Sequence, residues 1–105
     1  MAMFGQTISQ ALAVLESRGE PYARLLERDD CDIGMYRPNS VDDQTAHARD
    51  EIYIVATGTG EFVCEGKRER FAPGDVFFVT AGSAHKFENF SDDFATWVIF
   101  VGARP

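Results

Sequence analysis

Glu51-Ile52-Tyr53-Ile54-Val55-Ala56 runs directly into Thr57-Gly58-Thr59-Gly60, and this junction decides the fold. The first stretch is rich in β-branched and aromatic residues and stops at a Gly-bearing turn, so it reads as a strand. Downstream, the same alternation of strand and turn continues. Glu61–Cys64 is the next strand, with Glu65-Gly66-Lys67 as its hairpin turn. Arg68–Phe71 leads to Ala72-Pro73-Gly74-Asp75, with Pro and Gly where turn chemistry wants them. Val76–Val79 is a continuous apolar run, the pattern of a strand buried on both faces. Thr80–Ala84 is a turn, His85–Phe90 a strand, Ser91-Asp92-Asp93 a turn, and Thr96–Val101 the closing strand. Strands spaced by roughly eight to twelve residues with turn signals between them indicate an all-β sandwich or barrel.

Upstream, Ile8, Ala11, Leu12 and Leu15 recur with helical spacing between Thr7, a potential N-cap, and Gly19, a helix terminator. The resulting helix is expected to cover one face or edge of the strands. Beyond Pro21, Cys31, Ile33 and Met35 alternate with Asp32 and Gly34, the period of a half-buried strand. Pro38 stops it, and Asn39 to Ala46 is a polar loop. The chain is read as a single domain over 1–105, with a helical extension over 1–20 and the barrel over 31–101.

Composition narrows the function. Of the 105 residues, 45% are hydrophobic and 26% charged, which suits one globular core and excludes a disordered tail, a collagen-like repeat or a membrane span. Nine Phe, three Tyr and one Trp, mostly after residue 50, fit a β core. Seventeen acidic against ten basic residues give −7, and Lys67, Arg68 and Arg70 are interleaved with Glu65 and Glu69. No positive face is available for a phosphate backbone or an anionic membrane, so neither nucleic acid nor membrane is an expected partner. Two cysteines do not make a disulfide scaffold, and Cys64 reads as a small buried hydrophobe. Glu16 and Arg18 interrupt the apolar stretch Ala11–Leu15, so no signal peptide is read and a cytoplasmic location with free thiols is expected.

The chain has only two histidines, His47 and His85, each read as opening a strand after a loop. Glu51 lies four residues after His47 and shares its side if that stretch is extended; His85 shares a face with Phe87 and Asn89. Two imidazoles and a carboxylate are the donor set that leaves open positions on a divalent metal. Exposed loop histidines with Glu51 on a solvated face are the alternative, and residue spacing alone leaves both open. Tyr53 and Val55 share parity with Glu51 and either line a cavity or pack a core. Arg37 follows Cys31, Ile33 and Met35 on one face, as an inward carboxylate clamp or a solvated rim residue. Trp97 reads as a core or dimer-contact residue. Gly58 and Gly60 lie between strands and so belong to a hairpin, not a phosphate loop.

The spacing of these residues resembles the two motifs of the cupin superfamily. In the first motif, His47 matches the second His, Glu51 the Glu and Gly58 the closing Gly. In the second, Gly74, Gly82, His85 and Asn89 fall at the expected positions. Three positions depart: Thr45 stands for the leading His, Asn39 for the leading Gly and Thr80 for the Pro. Gln44, His47, Asp50 and Glu51 are similar to a Gln-x-x-His-x-x-Asp-Glu pattern of small single-domain bacterial cupins. The resemblance implies a double-stranded β-helix, a jelly-roll-like barrel, around a divalent metal held by His47, Glu51 and His85. Gln44, or a water held by Thr45, would fill the position of the missing His. Iron, manganese, zinc or nickel would suit these mixed donors. It further implies a homodimer and a small-molecule ligand, with Tyr53, Phe87 and Arg37 as candidate pocket residues. Two functions follow: a metalloenzyme acting on a small polar metabolite, or a non-catalytic ligand-binding or sensor module.

Overall fold

Thr7 starts the helix as the sequence predicts. Its hydroxyl accepts from the Gln10 N–H at 3.1 Å while its own N–H donates to the Gln10 side chain at 2.9 Å, a reciprocal capping box. Gly19 ends the helix at φ 64°, a conformation that costs a residue without Cβ little. The computed structural model describes residues 2–104, and in it helix α1 spans Ile8–Arg18. Eight strands follow: β1 Tyr22–Glu27, β2 Cys31–Tyr36, β3 Asp50–Thr57, β4 Gly60–Cys64, β5 Lys67–Phe71, β6 Val76–Val79, β7 His85–Glu88 and β8 Ala95–Val101.

The strands form two antiparallel sheets, one of order β1-β2-β8-β3-β6 and one of order β5-β4-β7. Tyr53, Val55 and Val98 of the larger sheet meet Phe62 and Phe87 of the smaller one. Ring centroids at 4.9 Å for Tyr53–Phe87 and 4.8 Å for Phe62–Phe87 are in the range of favourable aromatic packing. A second cluster lies outside the larger sheet, where Ala11 and Leu15 of α1 cover Ala23, Met35 and Ala95. The larger sheet is therefore buried on both faces where α1 lies and on one face elsewhere. Gly58 closes β3 at φ 84°, and a Cβ there would come within 2.5 Å of the Phe94 Cα, so the turn admits only glycine without rearrangement.

Several sequence expectations are corrected. Strand β1 was not expected, and the sheet begins at Tyr22 rather than at residue 31. Asp32 and Gly34 do not face water: both are buried, because β2 lies between the core and α1. Asp32 is only 2% exposed and is neutralised by Arg49 at 3.2 Å and Arg104 at 2.6 Å. Strand β6 is not buried on both faces, since Val76 is 60% and Phe78 57% exposed at a sheet edge that α1 does not reach. Lys67 lies in β5, and the hairpin turn is Glu65-Gly66 with φ of 49° and 81°. β7 ends at Glu88 because Asn89 turns to φ 51°.

Candidate metal centre

Strand register brings the carboxylate inward. Glu51 pairs with Phe100 on β8 and Val79 on β6, and Tyr53 with Val98 and Phe77, so alternation sends both side chains to the core face. Glu51 is 1% exposed. His85 opens β7 with its side chain fully buried. His47 does not open a strand; it lies in the loop before β3. That loop is tied to the β6–β7 turn, where the Gly82 N–H donates to the His47 carbonyl at 2.8 Å and the Ala81 N–H to Asp50 at 2.8 Å. Phe100 supports the His47 ring edge-on, with centroids 5.3 Å apart. The turn that carries His85 thus also fixes the loop that carries His47.

His47, Glu51 and His85 each present one ligand atom, all within 4.8 Å of one another. His85 Nε2 is 3.1 Å from Glu51 Oε1, which is 3.8 Å from His47 Nε2. Gln44 Oε1 is 3.2 Å from His47 Nε2 and accepts from the Tyr53 hydroxyl at 3.1 Å; that hydroxyl is 2.9 Å from His85 Nε2. These five atoms make a closed ring. Ligand atoms bonded tetrahedrally to a zinc-sized ion at about 2.1 Å lie about 3.4 Å from each other, and the 3.1 and 3.8 Å separations from Glu51 to the two histidines bracket that value. The other oxygen of Glu51 is buried with no hydrogen-bond partner, an arrangement that a cation satisfies.

The protonation pattern agrees with this reading. His85 Nδ1 lies 2.8 Å from the Ser83 carbonyl, which can only accept, so Nδ1 carries the hydrogen and the neutral ring offers its Nε2 lone pair. Burial disfavours the His85 imidazolium, but the bonds to Glu51 and Ser83 outweigh it and raise the pKa. Burial, reinforced by the charge of Glu51, pushes the Tyr53 phenol far up, so it remains a donor.

The Gln44 amide is oriented by Asp42, a residue that nothing in the sequence marks. Asp42 accepts from Gln44 Nε2 at 2.7 Å, from the Gln44 N–H at 3.1 Å, from the Tyr36 hydroxyl at 2.7 Å and from the Phe87 N–H at 2.7 Å. With its NH2 held by a carboxylate, Gln44 must turn its carbonyl oxygen to the histidines. Thr45 is exposed and outside the cavity wall. The cavity beside the ring has a volume of about 450 Å3, and Tyr53, Gln44, His47 and Glu51 line it. Phe87 does not: it is packed into the core beneath. Arg37 is exposed and lines a groove against α1, because its position continues the helix-facing side of β2. Tyr22 and Arg24 of the unexpected β1 complete the wall.

Comparison with known proteins agrees with this geometry. The cupin domain family model matches residues 33–101. An uncharacterized protein of Streptomyces coelicolor is 33% identical over 81 residues, covering 75% of this chain and 77% of its own. A cupin 2 conserved barrel domain protein from Salinispora arenicola superposes with a TM-score of 0.70 at 23% identity, over 98% of this chain and 92% of that one. The DMSP lyase DddQ from Ruegeria pomeroyi superposes with a TM-score of 0.68 at 24% identity, over 77% of this chain and 46% of that longer one. With the family model spanning both histidines and most of the barrel, the chain belongs to the cupin domain family.

Proposed function

We propose that this cupin binds a divalent metal through His47, Glu51 and His85, with the Gln44 amide oxygen beside them, and acts on a small polar metabolite. The buried Glu51 carries the reading: one oxygen faces His85 and the other has no partner. A bare buried carboxylate is costly, and a dication removes that cost. Iron, manganese, zinc and nickel all suit nitrogen and oxygen donors together. A bound metal of this kind supplies Lewis acidity to a coordinated oxygen. The protein's own groups would shape the site: the Tyr53 hydroxyl donates to Gln44 Oε1 and so holds that oxygen beside His47, and Val98 and Phe100 offer the ligand an apolar surface. The cavity volume of about 450 Å3 suits a small molecule and not a polymer. The same fold is found in a lyase, so the enzymatic reading is compatible with the architecture, and a non-catalytic ligand-binding or sensor module is its alternative. Metal analysis of the purified protein followed by an oxygen-uptake and lyase screen tests it; a metal-free protein that does not take up added metal contradicts it.

The same reading includes a homodimer. On the outer face of the larger sheet, register aligns Phe78, Ile52, Ile99 and Ile33 in one row across four strands. Phe78 is exposed at its end, and α1 covers the neighbouring Met35 instead. An apolar row of this kind suits face-to-face packing against a second copy.

A further inference from the structure

Among the described residues, five large apolar side chains are exposed: Met3, Ile8, Val41, Val76 and Phe78. Of these, Val41 alone lines the cavity beside the proposed metal site. It is 70% exposed, whereas Glu51 at the inner end is 1% exposed, so the cavity runs from a buried carboxylate out to an apolar mouth. A single exposed valine is ordinary on a protein surface. One that continues the apolar wall of a ligand-sized cavity is available to a ligand.

The fold holds Val41 in that place. It belongs to the loop between β2 and β3, with Pro38 buried before it and Asp42 buried after it. Asp42 is fixed by the hydrogen bonds from Tyr36, Phe87 and both the side-chain amide and the N–H of Gln44. Val41 cannot turn into the core without breaking that anchorage, so its methyl groups stay in the wall. Val98 and Phe100 line the same cavity with the donor set and extend its apolar surface. The charged groups of the wall do not favour a second acid group on the ligand. Arg24 is committed to Glu27 at 2.9 Å and to Asp32 at 3.6 Å, and Asp43 is itself an anion. A volume of about 450 Å3 also exceeds what a group the size of acetate fills, so a ligand held at the metal has room for a body.

We propose that Val41 is a specificity-determining residue, and that the site takes a ligand with one oxygen-donor head for the metal and an uncharged apolar body lying against Phe100, Val98 and Val41. This specificity rests on the metal reading above. The methyl groups of Val41 lose their water when the body covers them, so affinity grows with the apolar area of the ligand and not with its charge.

Calorimetric titration of the zinc-loaded protein with acetohydroxamate, benzohydroxamate and octanohydroxamate tests this, in the wild type and in Val41→Ser. The three probes share one metal-binding head and differ only in the body. In the wild type, at least one of the two larger probes is expected to bind about ten-fold or more tighter than acetohydroxamate. Val41→Ser is expected to keep zinc content, Tm and acetohydroxamate affinity. It should weaken that larger probe about five-fold or more, as for the loss of one or two buried methyl groups. Equal affinity of the wild type for all three probes overturns the proposal, as does a zinc-loaded wild type that binds none of them. A gain with size that survives Val41→Ser overturns it too, and so does a loss in the variant that acetohydroxamate shares equally. Each of these results leaves the metal site standing; a wild type that takes no zinc removes both.

Discussion

Asp42 bonds to four groups on three parts of the chain, and two of them matter to the site: the Gln44 amide and the Phe87 N–H. Replacing Asp42 with Ala leaves the Phe87 N–H buried and unpaired and lets the Gln44 carbonyl rotate away from His47. We expect a loss of about 2–4 kcal/mol in urea unfolding together with weaker metal binding. Gln44→Ala separates the two effects: metal affinity falls by about ten-fold or more while stability changes little, as read by metal competition titration. Thr45→His, which would restore the family's leading His, is expected to leave affinity unchanged because residue 45 faces solvent. At this scale the sequence was informative where a side chain acts within its own motif. The resemblance to the family motifs, not spacing alone, singled out Gln44, His47, Glu51 and His85 as candidates. Asp42 was not singled out, because its role depends on a backbone N–H 45 positions away. Tyr22 was not either, since its strand was missed.

Among the elements, β2 shows how pattern reading can mistake a face. Alternation separated Cys31, Ile33 and Met35 from Asp32 and Gly34 correctly, but polarity sent Asp32 and Gly34 to water, whereas both are buried and Met35 on the other face is buried under α1. Asp32 lies inward because Arg49 and Arg104 meet it there, and Arg49 also donates to the Gly102 carbonyl at 2.7 Å, tying the end of β8 to β2. Such compensation comes from distant parts of the chain and is invisible locally. Removing one partner leaves a buried charge less compensated, so Arg49→Ala is expected to cost about 3 kcal/mol in chemical denaturation. A change below about 0.5 kcal/mol, the size typical of an exposed pair, would show that the Arg104 contact alone suffices. Strand β1 was missed for a related reason: Tyr22-Ala-Arg-Leu-Leu-Glu has no clean period, and its register against β2 shifts between Arg24 and Leu26. The helix was fully legible, since its caps are local.

For the molecule as a whole, the family motifs carried the architecture, and the error over β6 was one of layers. A continuous apolar run predicts cover on both faces, yet Val76 and Phe78 have cover on one. A second copy on the outer face of the sheet would supply the other. Phe78→Glu is therefore expected to convert a dimer to a monomer in light scattering without loss of metal; a wild type with the mass of a single chain contradicts this. His47, Glu51 and His85 form the donor set of the proposed metal site, and metal content in the wild type and in His85→Ala tests it most directly. With both proteins folded by circular dichroism, the wild type should hold about one divalent ion per chain after metal loading and dialysis, and the variant close to none, as expected when one of three side-chain ligands is removed. Full metal content in His85→Ala would contradict the assignment.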